Sequence, residues 1–436
     1  MGKLSTYVLL GFSFVIYIAI GYIPRYDFFP LIGCFAFLFG TYYLYLKRND
    51  FEEYDLKEMI KLGVLFRLAS LFYLPNLSDD YHRFIWDGTI AHQGINPFDY
   101  TPEELLYQLD LRQLGLYNTY HHLNSPNYYS VYPPVNQFIF YIATYWDSFS
   151  AVFIMKGIII LAEFGTVKLL IALLKRWNIN PMKAMVYFLN PLVIVELTGN
   201  LHFEAVMIFF IVLSIYLLAK NKLYLAGIAY ALAVLTKIIP LLFLPFFIKR
   251  LGWRKSLLFF GTIGVTVLAL SALYFNTTQL QHFFTSVQLY FGNFQFNASI
   301  YQWLRSLGEL FLPYEIMKHL STLLSLIVLI TIVIWAYKEK SKSLTSLMPT
   351  LLFALTLHLA LATTIHPWYL TTGIMLAVFT NYKYVLAWSG LATLSYVTYI
   401  NEGVYHELFW LNAIEYIIVF SLFIFEYRKH QDVTQL

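Results

Sequence analysis

The chain has one cysteine, Cys34, and very little charge. A single cysteine excludes a disulfide framework and any Cys-based zinc site. Cys34 lies within an apolar run and reads as a packing or lipid-facing residue. Charged residues make up 12% of the 436 positions and hydrophobic residues 59%. A soluble domain carries about 25% and about 45–50% of each. Mean hydropathy is +0.61. These values exclude a water-soluble globule, a disordered chain and a basic nucleic-acid binder. No His-Glu-x-x-His, P-loop or dinucleotide-binding glycine motif occurs, and no internal repeat or heptad run is visible. What is left is an all-α polytopic membrane protein.

Crossing a bilayer takes about 20 predominantly apolar residues. Such runs cover 5–22, 28–46, 60–75, 149–174, 183–198, 205–219, 223–248, 256–275, 315–337, 346–365, 368–381, 384–400 and 407–426. Pro240 and Pro245 interrupt the run 223–248, which leaves a count of 12 to 14 spans. The first run is followed by Tyr22-Ile23-Pro24-Arg25 rather than a small-residue cleavage site, so it reads as a retained span.

With the N-terminus in the cytoplasm, 20 Lys and Arg residues fall inside and five fall outside (Arg25, Arg83, Arg112, Arg305 and Lys318). That asymmetry obeys the positive-inside rule. It requires 223–248 to turn back on itself, with Lys237 near the outer tip, because both of its ends carry inside charge. Two long external segments follow, 76–148 and 276–313, within one membrane-embedded domain spanning 1–436. The first is too long for a simple connector. It holds two Arg and no Lys, and is rich in Tyr, His, Asn and Asp.

Chemistry concentrates where that segment begins. Ser78 is a good N-cap, and Asp79 and Asp80 then fall in the first helical turn. Asp79, Arg83 and Asp87 are spaced four apart, on one helix face. Acidic residues at a helix start bridged by an arginine are ordinary structure. Their location just outside the bilayer, where a lipid-borne substrate presents its head, makes them candidates for a general base. Asn96-Pro97 signals a turn, and Thr101, Pro102 and Glu104 form a capping box that starts a second short helix. The apolar stretch 138–146 is too short to span and reads as re-entrant or interfacial. His121-His122 reads as solvated loop, and Glu163 and Lys168 as buried polar contacts to a neighbouring helix.

The order Ser78-Asp79-Asp80-Tyr81, Trp86-Asp87-Gly88, Gly94-Ile95-Asn96-Pro97-Phe98 and Tyr132-Pro133-Pro134 resembles the external catalytic loop of bacterial polyprenyl-phosphate-dependent mannosyltransferases of the glycosyltransferase C superfamily. Asn190-Pro191-Leu192 with Glu196 and His202, Leu235-Thr236-Lys237 with Pro240, Phe296-Asn297 and Pro367-Trp368-Tyr369 also resemble segments of that family. The resemblance runs from about Leu74 to Tyr369. It implies transfer of a hexose, most readily mannose, from a polyprenyl phosphate donor to a lipid-linked or extracytoplasmic glycan acceptor. The implied reaction is a single inverting displacement, at the outer face of a bacterial inner membrane. It places the base in the first loop, at Asp79 or Asp80. Lys237 is the candidate for the donor phosphate, because an ammonium in an apolar segment is expensive and marks a site. Arg83, Trp86, Asp87, His202, Glu204 and His366 are further candidates for substrate contact. Asp79 and Asp80 have the chemistry to hold a divalent cation, although nothing in the sequence requires one.

Two rival readings remain. A transporter or flippase of lipid-linked glycans would place ionisable groups at mid-membrane on broken helices and show repeated halves. Here the polar residues crowd into one external segment. A ligase or polymerase using a diphosphate-linked donor would call for more than five external cations.

Overall fold

The protein was examined as a computed structural model, which describes residues 3–47, 53–401 and 407–434. Arg48, counted above among the inside charges, lies outside the described residues. Among those described the fold is all-helical, with one isolated bridge between Phe296 and Thr364 and no strand. Five helices are long and apolar enough to cross a bilayer: Phe28–Lys47, Ser148–Arg176, Trp253–Ser271, Tyr314–Lys338 and Phe409–His430. The pair Pro181–Phe188 and Val193–Gly199, bent by 61°, is apolar enough to form a sixth, broken span or a re-entrant loop. Four shorter apolar helices join them: Val8–Tyr22, Glu204–Ala219, Leu223–Val234 and Leu347–Leu361. The 12 to 14 apolar runs are therefore not 12 to 14 continuous helices. Several break midway into tighter or wider turns, as over Ile239–Phe246, where Pro245 sits inside. A proline there removes a backbone donor and clashes with the preceding turn.

The run 223–248 does reverse. Tyr230 Oη donates to Pro240 O at 2.7 Å, tying the two arms of the hairpin together. Lys237 lies at its tip.

The bundle has two chemically distinct ends. At one, Lys183 bonds Thr380 O and Asn381 (3.0 and 2.8 Å), Arg250 reaches Ser343 O (3.2 Å), and Glu426 accepts from the backbone of Lys383 and Tyr384 (2.8 and 3.0 Å). At the other lie both long polar segments, packed on each other. Asn96 Nδ2 donates to Tyr274 O, Gln279 to Asp99, and His282 Nδ1 lies 2.8 Å from Phe98 O. Phe98 is fully buried against Phe275 and Phe283. The Asn-Pro-Phe turn therefore anchors the first segment to the helix Thr277–Asn293 of the second, which has its own capping box at Asn276.

Two cations inside the apolar bundle, Arg67 and Lys156, are paired or capped. Arg67 forks onto Glu163 (2.9 and 2.7 Å) and also donates to Gly63 O and Phe188 O, while Thr198 donates to Glu163 at 2.5 Å. Lys156 donates to Ser70 O and Tyr73 O at 2.6 and 2.7 Å and lies over the Tyr73 ring. Both cations fix the chain where Glu53–Ala69 ends and the first long segment begins. Glu163 thus makes the expected neighbour contact. Lys168 does not: it is exposed, with its ammonium over the Phe164 ring at 4.2 Å, because it points away from the Arg67 side of its helix.

Candidate active site

The helix that carries the acidic motif runs Asp80–His92, one residue later than its expected cap places it. Asp79 takes the cap position, and Ser78 Oγ instead accepts from Asp80 N–H at 3.3 Å. The expected three-residue ladder on one face is half formed. Arg83 pairs with Asp87 at 2.7 Å, whereas Asp79 turns to Arg25, also at 2.7 Å.

Arg83 and Asp87 build the loop from within. Asp87 is fully buried and accepts from Arg83 Nε (2.7 Å), Ser130 Oγ (2.5 Å) and Gln137 Nε2 (2.9 Å). Arg83 also donates to Tyr128 O and Ser125 O. Trp86 is fully buried, tilted against Tyr120. Gly88 allows the helix to lie on Pro134–Ala143, where a Cβ would stand 2.4 Å from Phe140 O. Arg83, Trp86 and Asp87 pack within the first long segment, with Arg83 Nη2 and Trp86 Nε1 buried and without a hydrogen-bond partner among the described residues. Their effect is to hold the returning strand of loop, 124–132, against the start of the Asp80 helix. The stretch expected as interfacial forms that short helix Pro134–Ala143. Its first turn grips the hairpin tip, with Val135 N donating to Leu235 O (3.1 Å) and Asn136 Nδ2 to Thr236 O (2.9 Å).

These two clamps bring Asp80 and Lys237 near enough for the ammonium to act on the carboxylate, although they are far apart in sequence. Asp80 accepts from Asn124 Nδ2 at 3.1 Å and from the Tyr132 hydroxyl. Desolvation raises its pKa, while Lys237 and the two hydrogen bonds pull it down. The Lys237 ammonium lies 3.0 Å from Glu204 and 5.9 Å from the Tyr132 ring centre. Beside it, His202 and His366 sandwich Trp368, with ring centres 3.7 and 4.2 Å from the indole, and Phe296 stacks behind His366 at 4.7 Å. Burial, reinforced by Lys237, pushes His366 down to about 3 and keeps His202 well below its usual range. Both imidazoles are therefore neutral.

His202 is aimed by a strained turn. Leu201 is a buried residue at φ 62°, a conformation that costs a branched side chain about 1–3 kcal/mol. His202 Nδ1 lies 2.8 Å from Glu196 O, which assigns its proton there and leaves Nε2 as an acceptor. Among the described residues His202 Nε2 and Glu204 Oε2 are buried and have no hydrogen-bond partner. The wall beside Lys237 therefore offers two unused acceptors.

The sequence candidates divide accordingly. Asp80, Lys237, Glu204, His202 and His366 converge. Asp79 stands next to them but is engaged by Arg25, which also lies 4.8 Å above Tyr399. Tyr132, Asn124 and Trp368 belong to the site and were not singled out from sequence. Tyr132 and Trp368 stood inside quoted motifs, whereas Asn124 had no signal. Among the described residues no three His, Cys, Asp or Glu side chains are grouped to hold a metal. Asp79 and Asp80 diverge, one toward Arg25 and one toward Asn124, so the pair does not form a ready-made cation site.

No curated protein matches the chain. Residues 26–252, just over half of its length, match the family described as alpha-(1->6)-mannopyranosyltransferase, N-terminal domain. This stretch contains the first long segment, the bent pair and the hairpin with Lys237. The chain belongs to that mannosyltransferase family.

Proposed function

We propose that the protein moves mannose from a polyprenyl phosphate donor to a hydroxyl of a glycan or glycolipid acceptor, at the outer face of the membrane, with Asp80 as general base. The observation that carries this reading is the convergence of one partly desolvated carboxylate and one ammonium, supplied by separate segments, beside two buried acceptors that have no partner among the described residues.

The acceptor oxygen attacks the anomeric carbon as the bond from that carbon to the phosphate oxygen breaks. Polyprenyl phosphate leaves with the bonding electron pair, and the hydroxyl proton passes to Asp80. A single displacement inverts the anomeric centre, so a β-linked donor gives an α-linked product, in keeping with the family's α-(1→6) description. A phosphate leaving group needs its charge stabilised rather than a proton, which is the role given to Lys237. Glu204 holds that ammonium in place. The free oxygen of Glu204 and Nε2 of His202 accept from sugar hydroxyls, and the Trp368 stack supplies a flat apolar wall. Asp79 is assigned to positioning through Arg25. The basic end of the bundle faces the cytoplasm, and the end that carries Asp80 and Lys237 faces the donor's headgroup on the other side.

The test is transfer by purified protein in lipid nanodiscs, given a polyprenyl-phosphate mannose and a synthetic mannoside acceptor. Turnover that depends on the lipid donor supports the reading. Passage of a lipid-linked sugar across vesicles without transfer would replace it with the transporter reading.

A further inference from the structure

A second polar cluster lies apart from Asp80 and Lys237, where the last helix begins. Asn297 stands at its centre at φ 49°. Its backbone N–H donates to Glu407 Oε1 at 2.6 Å, and its amide donates to both oxygens of Glu415 at 3.3 Å. Trp388 Nε1 donates to Glu415 at 3.0 Å. Glu415 is 1% exposed, and among the described residues no Lys or Arg pairs with it. Asn412 closes the cluster. Its amide nitrogen donates to Asn297 Oδ1 and Ala298 O at 3.0 and 3.1 Å, which fixes its orientation. Asn412 Oδ1 then has no donor, although the residue is 6% exposed. Glu407, Asn412, Glu415 and Asn297, with Ser395 and Thr398, line one small pocket.

We infer that this pocket is a binding site for a hard divalent cation of the calcium class, held by Glu407, Glu415 and Asn412 Oδ1. Two carboxylates and an amide oxygen are the ligand set such ions take. The amide oxygen, buried and without a donor, calls for a positive partner. Two carboxylates brought together by one asparagine repel each other, and a double charge neutralises both where a single one does not. Trp388 and the Asn297 amide already hold Glu415 in one orientation, so an ion would meet a fixed ligand. The ion would also brace the site wall, since Asn297 follows Phe296, which stacks on His366.

The test uses the full chain in detergent with terbium as the probe. Trp388 is close enough to Glu415 to sensitise terbium emission. A saturable signal, displaced by calcium and accompanied by a rise in melting temperature with calcium, is expected. Glu415→Gln should weaken terbium binding about tenfold or more, the loss of one charged contact. Asn412→Asp adds a ligand charge at the cost of the two hydrogen bonds that the Asn412 amide donates to Asn297 Oδ1 and Ala298 O; it should tighten terbium binding, with the melting temperature in the absence of ion as the folding control. Absence of a saturable signal overturns the inference. So does equal affinity across the three proteins, or stabilisation by sodium alone. None of these readouts requires sugar transfer, so the result stands apart from the proposed activity.

Discussion

Replacing Asp80 by Asn separates the two aspartates most sharply. The substitution keeps the shape of the side chain and an oxygen for Asn124 and Tyr132, but removes the atom that takes the proton. A positioned general base contributes about 10²–10⁴ in rate, equivalent to about 2.7–5.5 kcal/mol in the barrier. Asp79→Asn removes only an ion pair with Arg25. The two side chains are 36% and 24% exposed, and a solvent-exposed pair of this kind contributes about 0.2–1 kcal/mol. The structure thus predicts a fall of about 10²–10⁴ in kcat for Asp80→Asn and of no more than about fivefold for Asp79→Asn. The assay is single-turnover transfer of labelled mannose from polyprenyl-phosphate mannose in nanodiscs, with unchanged melting temperature as the folding control. The reverse order, with Asp79→Asn inactive and Asp80→Asn near normal, would refute the assignment made from the partners of the two aspartates.

The same group sets the acid limb of the pH profile. Asp80 must be deprotonated to act, and desolvation raises its pKa above 3.8, so kcat/KM should climb with pH through a midpoint above that of an ordinary aspartate. A limb at or below 3.8 would show that Asp80 is not the titrating base. Lys237→Ala should raise the donor KM about 10–100-fold, the loss of one charge-assisted contact, and change the acceptor KM far less. Equal losses for both substrates count against its phosphate role. Arg67→Ala strands Glu163 in the bundle and should cost about 3–5 kcal/mol in stability, read as the shift in a denaturation midpoint in detergent. A loss below about 1 kcal/mol would mean that the pair is not held dry.

The parts of the site legible in the sequence were those where a polar residue stood out against apolar surroundings. Lys237 was conspicuous because of its 14 neighbours over 230–244 only Tyr230 and Thr236 carry polar groups. Asp79 and Asp80 were conspicuous at a helix start. Their division of labour was not readable, because it depends on Arg25, which arrives from an unrelated segment. Arg83 and Asp87 stood out for the same reason as Asp80, yet their polar atoms turn inward onto Ser130, Gln137 and the backbone of 125–128. Sequence spacing gives a shared face but not whether that face meets solvent or the returning loop.

The broken spans carry a further consequence. In a bilayer an interrupted helix leaves backbone groups that lipid cannot satisfy. At the hairpin the interruption is answered by protein: Tyr230 Oη meets Pro240 O, Val135 N meets Leu235 O, and Asn136 meets Thr236 O. The groups that answer the hairpin come partly from the first long segment, so the loop bearing Asp80 is drawn to the break bearing Lys237. The bent pair ends at Gly199, and the turn after it delivers His202 and Glu204 to the same place. Hydropathy averaged over a window shows a continuous apolar run in each case, because the residues around a break are as apolar as those within a helix. The candidate site therefore lies beside the broken hairpin for a physical reason: the polar segment that covers the break brings the candidate side chains with it.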